Sequence, residues 1–108
     1  MAFNFSKVLN RVNGTQGRGR NVMLLDFLLT KKGTDIGNHV IQFDAIQYIR
    51  TVYGDPITPD SASRIWRKLR EEYKDNKESS QIHKAGLSVV EFKKKDSPQK
   101  YFKIGESY

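Results

Sequence analysis

The sequence predicts an α+β fold: a three-helix core, a C-terminal β-hairpin and an extra short helix at the N-terminus. Three observations carry that prediction. Three segments before residue 75 have the caps, length and apolar content of core helices. From Leu87 the apolar period changes to two, with Asp96-Ser-Pro-Gln99 as a turn between two alternating runs. The chain has 108 residues and no cysteine, so a single core must hold it without disulfides.

Taken in order, Phe5, Val8, Leu9 and Val12 follow helical spacing behind Ser6 as a cap, and Gly14 supplies a stop. Thr15 to Arg20 contains two glycines, two arginines and no apolar residue, which reads as a flexible basic connector. Residues 1–20 are thus an N-terminal segment and linker, and residues 21–108 are the folded domain. Asn21 opens Val22–Leu29, apolar almost all round, as a central helix ended by Lys31, Lys32 and Gly33. Thr34 to Asn38 reads as a loop. His39–Phe43, rich in β-branched and aromatic residues, reads as a small strand.

Asp44 is the expected cap of a helix over Ala45–Tyr53, with Ile46, Ile49 and Tyr53 facing inward and Gly54 at its end. The connector Asp55–Pro59 holds two prolines, and Ile57 is placed to plug the gap between helices. Thr58 then caps a helix running to Lys74, Pro59 stands where a missing N–H costs nothing, and Asp60 complements the positive helix end. At roughly 100° per residue, Ala62, Ile65, Trp66, Leu69 and Tyr73 fall on one stripe. Arg64, Arg67 and Lys68 point away from it, with Ser61 and Ser63 beside them. Lys74–Lys84 is polar and breaks the pattern. The hairpin follows, Leu87–Lys94 and Lys100–Ile104, and Gly105–Tyr108 reads as a tail. Trp66, Phe27, Tyr48, Tyr53, Phe92 and Phe102 are the expected aromatic core.

Hydrophobic residues make up 37% and charged residues 29%, which is ordinary for a globular chain and too apolar for a disordered one. The formal net charge is +7, which favours a polyanionic partner. No run of about 18 apolar residues occurs, and the N-terminal apolar residues are interleaved with polar ones, without a signal-peptide core. The expectation is a soluble cytoplasmic protein with no membrane partner.

The order of helix, short strand, helix, turn, basic helix and lysine-tipped hairpin resembles the winged helix-turn-helix fold over roughly Asn21 to Ile104. The phrase Ile57-Thr-Pro-Asp-Ser-Ala-Ser-Arg-Ile-Trp-Arg-Lys-Leu-Arg70 is similar to helix-turn-helix sequences whose recognition helix starts after Thr-Pro or Ser-Pro. The interhelix turn is longer than the tight turn of the basic motif. The resemblance implies that Asp44–Gly54 positions a recognition helix over Thr58–Lys74 in the major groove. It also implies that Leu87–Ile104 is a wing on the backbone of double-stranded DNA, and that the protein is a transcriptional regulator. Such proteins usually read a palindrome as dimers. The Phe3–Val12 segment is then either a homodimer interface or an extra helix folded back on its own domain.

The chemistry suits that reading. Arginine offers a planar fork for guanine O6 and N7, so Arg64 and Arg67 are the candidate base readers, with Ser61, Ser63 and Lys68 as helpers or phosphate contacts. Lys93, Lys94, Lys95 and Lys100 at the hairpin tip are candidate phosphate contacts. Arg18-Gly19-Arg20 resembles the core of an AT-hook, which inserts arginines into a narrow minor groove, although Asn21 stands where that motif has proline. Each group has a plainer alternative. The helix cations could pair with Asp60, Glu71 and Glu72, the hairpin lysines could guard an edge strand, and the Arg-Gly-Arg run could be a linker. Two rival functions remain open: an accessory of replication, recombination or packaging machinery, and a winged-helix adaptor or inhibitor with a protein partner.

Catalysis has little support. His39 and His83 stand alone, and Asp35, Asp44, Asp55, Asp60 and Asp75 are scattered without metal-ligand spacing. Gly14, Gly17 and Gly19 do not lead from a strand into a Lys-Ser/Thr helix, so no phosphate-binding loop is formed. The expectation is a non-enzymatic protein without cofactor or metal.

Overall fold

A computed structural model describes residues 19–107. The expected helix over Phe3–Val12, its stop at Gly14, and Thr15–Arg18 of the connector lie outside the described residues.

The chain runs α1 (Gly19–Leu29), β1 (Asp35–Gly37), a π-helical turn (Val40–Asp44) continuous with α2 (Ala45–Tyr53), α3 (Pro59–Asp75), a single-turn α4 (Gln81–Lys84), β2 (Leu87–Lys93) and β3 (Lys100–Glu106). The fold is α+β. Its one sheet among the described residues is antiparallel, in the order β1-β3-β2. In this register Val89 faces Ile104 and Glu91 faces Phe102, while Ile36 faces Phe102 from the other side. Ile36, Leu87, Phe102 and Ile104 are buried against the helices. Trp66 of α3 meets Phe102 edge-on with ring centroids 5.2 Å apart, which ties helix layer to sheet. Leu24, Leu28, Ile41, Ile49, Ile57, Leu69 and Ile82 complete the core.

Local signals position α3. Gly54 ends α2 in the left-handed conformation, φ 67°, and its N–H donates to Arg50 O. Arg50 then reaches across the connector, donating from Nε and Nη2 to Ile57 O at 3.0 and 2.8 Å. Ile57 is buried beneath that bridge, as its apolar side chain between two prolines leads one to expect. Thr58 caps α3 by accepting from the Ser61 N–H at 3.3 Å, with Pro59 in the first turn.

Several expectations are corrected. His39–Phe43 is helical, and the short strand lies upstream at Asp35–Gly37. A strand would put Ile41 and Phe43 on one face, yet Ile41 is 0% exposed and Phe43 66%. Ile41, Ala45 and Ile49 are instead buried together at helical spacing, so core burial overrides local β-propensity. Asp44 therefore caps nothing: it is already helical, and its side chain makes no cap bond. Gly19 and Arg20 belong to α1, not to a connector, because Arg20 is anchored to Asp55.

Gly105 and Glu106 continue β3, not a tail, and the Ser107 N–H donates to Gly86 O at 3.1 Å. The polar stretch after Lys74 contains α4, capped by Ser80 and pinned by buried Ile82. Phe92 is not in the core. With Val89, Phe102 and Ile104 turned inward, strand alternation turns Phe92 to the sheet's outer side, where it lies 6.1 Å from Tyr101.

Candidate nucleic-acid interface

The buried stripe of α3 is Ala62, Trp66 and Leu69, with Ile65 and Tyr73 packed at its margins. Rotation about the helix then leaves Arg64, Arg67 and Lys68 exposed on one side. None of these three enters an ion pair among the described residues. The alternative pairing with neighbouring carboxylates is not formed. Glu72 is occupied elsewhere, its Oε1 accepting from the Gln81 N–H at 2.7 Å and so fastening α4 to α3.

Ser61 and Ser63 are half-buried and engaged locally. Thr58 Oγ1 donates to Ser61 Oγ at 3.1 Å, and Gln42 Nε2 donates to Ser63 Oγ at 3.1 Å. The second bond joins the π-helical turn to the first half of α3.

Lys93, Lys94, Lys95 and Lys100 are all exposed, but they divide between the two faces of the hairpin. Lys93 and Lys100 pair in register on the helix side, in phase with Glu91 and Phe102. Lys100 Nζ lies 3.6 Å from Glu91 Oε2. Lys94 crosses to the outer side, where its Nζ stands 4.3 Å from the Tyr101 ring centroid. Lys95 sits in the turn.

Arg20 lies apart from both groups. Its Nη2 and Nε donate to the Asp55 carboxylate at 2.8 and 3.1 Å, and that hydrogen bonding raises the guanidinium pKa. The pair joins the start of α1 to the α2–α3 connector, a structural duty the sequence does not announce. Arg18 lies outside the described residues.

Three cations outside the sequence-based set line an open groove of about 670 Å³ between α3 and the hairpin: Arg70, Lys74 and Lys77. Arg70 lies with its Cζ 4.6 Å from the Phe102 ring centroid and 5.3 Å from that of Trp66. Burial lowers its pKa, and the negative charge of Glu91 works against that shift. The signal for Arg70 was present: it stands one helical turn after Trp66, at the edge of the buried stripe.

A second polar cluster sits inside the helical layer. Asp26 is 1% exposed, and the phenols of Tyr48 and Tyr53 both donate to its Oδ2 at 2.8 Å. Burial pushes the Asp26 carboxyl up from its ordinary value, and the two phenolic bonds oppose that shift. Burial and the carboxylate raise Tyr48 to about 12, and push Tyr53 up as well.

Among the described residues no three His, Cys, Asp or Glu side chains gather as a metal site, and no helix is long and apolar enough to cross a membrane. No family model matches the chain, and no match is found among curated proteins or solved structures.

Proposed function

We propose that this chain is a winged helix-turn-helix protein that binds double-stranded DNA in a sequence-specific manner, most simply as a transcriptional regulator. The observation that carries the reading is the face of α3. Arg64, Arg67 and Lys68 stand exposed, with no ion pair among the described residues, on a helix whose other face is locked into the core by Trp66 and Leu69. The order helix, strand, helix, helix, hairpin supports it, as does the antiparallel sheet β1-β3-β2. A net charge of +7 supplies the attraction to a polyanion.

In this reading α3 lies in the major groove, where Arg64 and Arg67 hydrogen-bond base edges and Lys68 takes a phosphate. The lysines on the helix side of the hairpin, Lys93 and Lys100, with Lys95 at the turn, contact the backbone. Those contacts fix orientation and carry no base information. Ser61 and Ser63, already engaged with Thr58 and Gln42, brace the start of the helix.

The division between reading and positioning is testable with two single changes. Arg67→Ala is expected to cost about 1–3 kcal/mol and to relax preference at one base position. Lys95→Ala is expected to weaken all sequences alike and to reduce the salt slope by about one unit. Equal losses across every sequence for both variants, measured by fluorescence anisotropy on a panel of duplexes, would contradict the division.

A further inference from the structure

We infer that the groove between α3 and the hairpin is a phosphate-binding site centred on Arg70, where Glu91 stands in for the anion in the free protein. The guanidinium is fixed by the rings of Phe102 and Trp66, so it is pre-oriented and cannot swing freely. Only 23% of the side chain is exposed, and the Nε is buried without a hydrogen-bond partner among the described residues. Arginine so held has donor capacity that the protein itself does not satisfy.

Glu71 also lines the groove and acts on Arg70 through its charge, but among the described residues only Glu91 comes within ion-pair distance of it, and Glu91 is a poor partner. Glu91 Oε1 stands 3.9 Å from Arg70 Nη1, and its Oε2 stands 3.6 Å from Lys100 Nζ. Both separations exceed hydrogen-bonding length, and Glu91 is itself half exposed, so it is shared between two cations and bound closely by neither. A phosphate group brings more acceptor oxygens and matches the fork of a guanidinium. Lys74 and Lys77, both exposed on the groove's rim, add charge where such a group would extend. Arg67 and Lys100 of the proposed DNA-binding surface also line this groove, so its nucleic-acid arm rests on that reading, while binding of a free oligophosphate does not.

Two sources carry the chemistry: the backbone of a nucleic acid and a free oligophosphate. The chain contains one tryptophan, Trp66, against which Arg70 rests, so its emission reports on the groove. The test titrates the full chain at low salt with pyrophosphate, and separately with a short mixed-sequence DNA duplex, following Trp66 emission and calorimetric heat.

Glu91→Gln removes the internal competitor and is expected to tighten binding about two- to fivefold. Lys74→Ala combined with Lys77→Ala, both exposed and without burden on the core, is expected to loosen it by a similar factor. Asp35→Asn makes the same charge change on the far face of the sheet and is expected to leave the affinity nearly unchanged.

Tightening by Glu91→Gln for the duplex, with or without pyrophosphate, assigns the groove to nucleic-acid phosphates. Tightening for pyrophosphate alone keeps the site, assigns it to a free oligophosphate and detaches it from DNA binding. No tightening for either probe, or equal tightening by Asp35→Asn, overturns the inference.

Discussion

Asp26 shows how a single buried group sets a pH dependence. Its carboxyl is enclosed by α1 and α2 and accepts from two phenols, yet burial still holds its pKa above the ordinary 3.8. Between that ordinary value and the raised folded value, the folded state carries more protons than the unfolded one. Stability therefore falls as pH rises through this window, and the cost of the buried charge persists above it. Asp26→Asn keeps an oxygen acceptor for Tyr48 and Tyr53 and carries no charge. Urea unfolding across acidic to neutral pH is expected to show that falling component in the wild type and its absence in the variant. Trp66 sits at the other extreme of residue effects, an apolar contact between layers. Trp66→Ala is expected to destabilise the fold by about 3–5 kcal/mol in the same assay. A fully stable variant that had lost DNA binding would mark Trp66 as a contact residue and not a packing one.

At the scale of elements, the start and direction of α3 depend on the turn before it. Gly54 adopts a φ of 67° with open space around its α-carbon, so Gly54→Ala meets no clash and only the backbone penalty. That penalty is about 1–2 kcal/mol, expected as a lower thermal midpoint with α3 otherwise intact.

This turn was legible in the sequence because its causes are local: Gly54 for the left-handed stop, Thr58 and Pro59 for the start, Ile57 as the plug. The hairpin was legible for the same reason, through its change of period at Leu87. The segment His39–Phe43 was not, because its β-branched composition competes with a tertiary demand that Ile41, Ala45 and Ile49 be buried together. Only the packed molecule decides that contest. The duties of Arg20 and Asp26 were not legible for a related reason. Their partners, Asp55 for one and Tyr48 and Tyr53 for the other, are distant in sequence and close only after folding. The candidate site divided likewise: the free face of α3 followed from helical phase alone. Helical spacing also set Arg70 beside Trp66, but the groove that it shares with Lys74 and Lys77 emerged only once the hairpin had been laid beside the helix.

Across the whole molecule, charge and topology bear on the same surface. Helix α3 and the helix-side edge of the hairpin present Arg64, Arg67, Lys68, Lys93 and Lys100, while Lys94 turns to Tyr101 on the outer face. Contacts to about five to eight phosphates would make affinity fall by roughly a thousandfold or more between 50 and 200 mM salt. That steepness alone does not distinguish a regulator from a non-specific binder, since counterion release ignores sequence. Base readout by α3 is what would separate the two.

Selection from a random double-stranded DNA pool at physiological salt tests it most directly, run in parallel on the wild type and on the Arg64→Ala, Arg67→Ala double variant. An enriched motif is expected for the wild type and its loss in the variant, while weak non-specific binding persists through the hairpin lysines. Salt-sensitive binding by the wild type with no enriched motif would contradict it, as would a motif that survives the loss of both arginines.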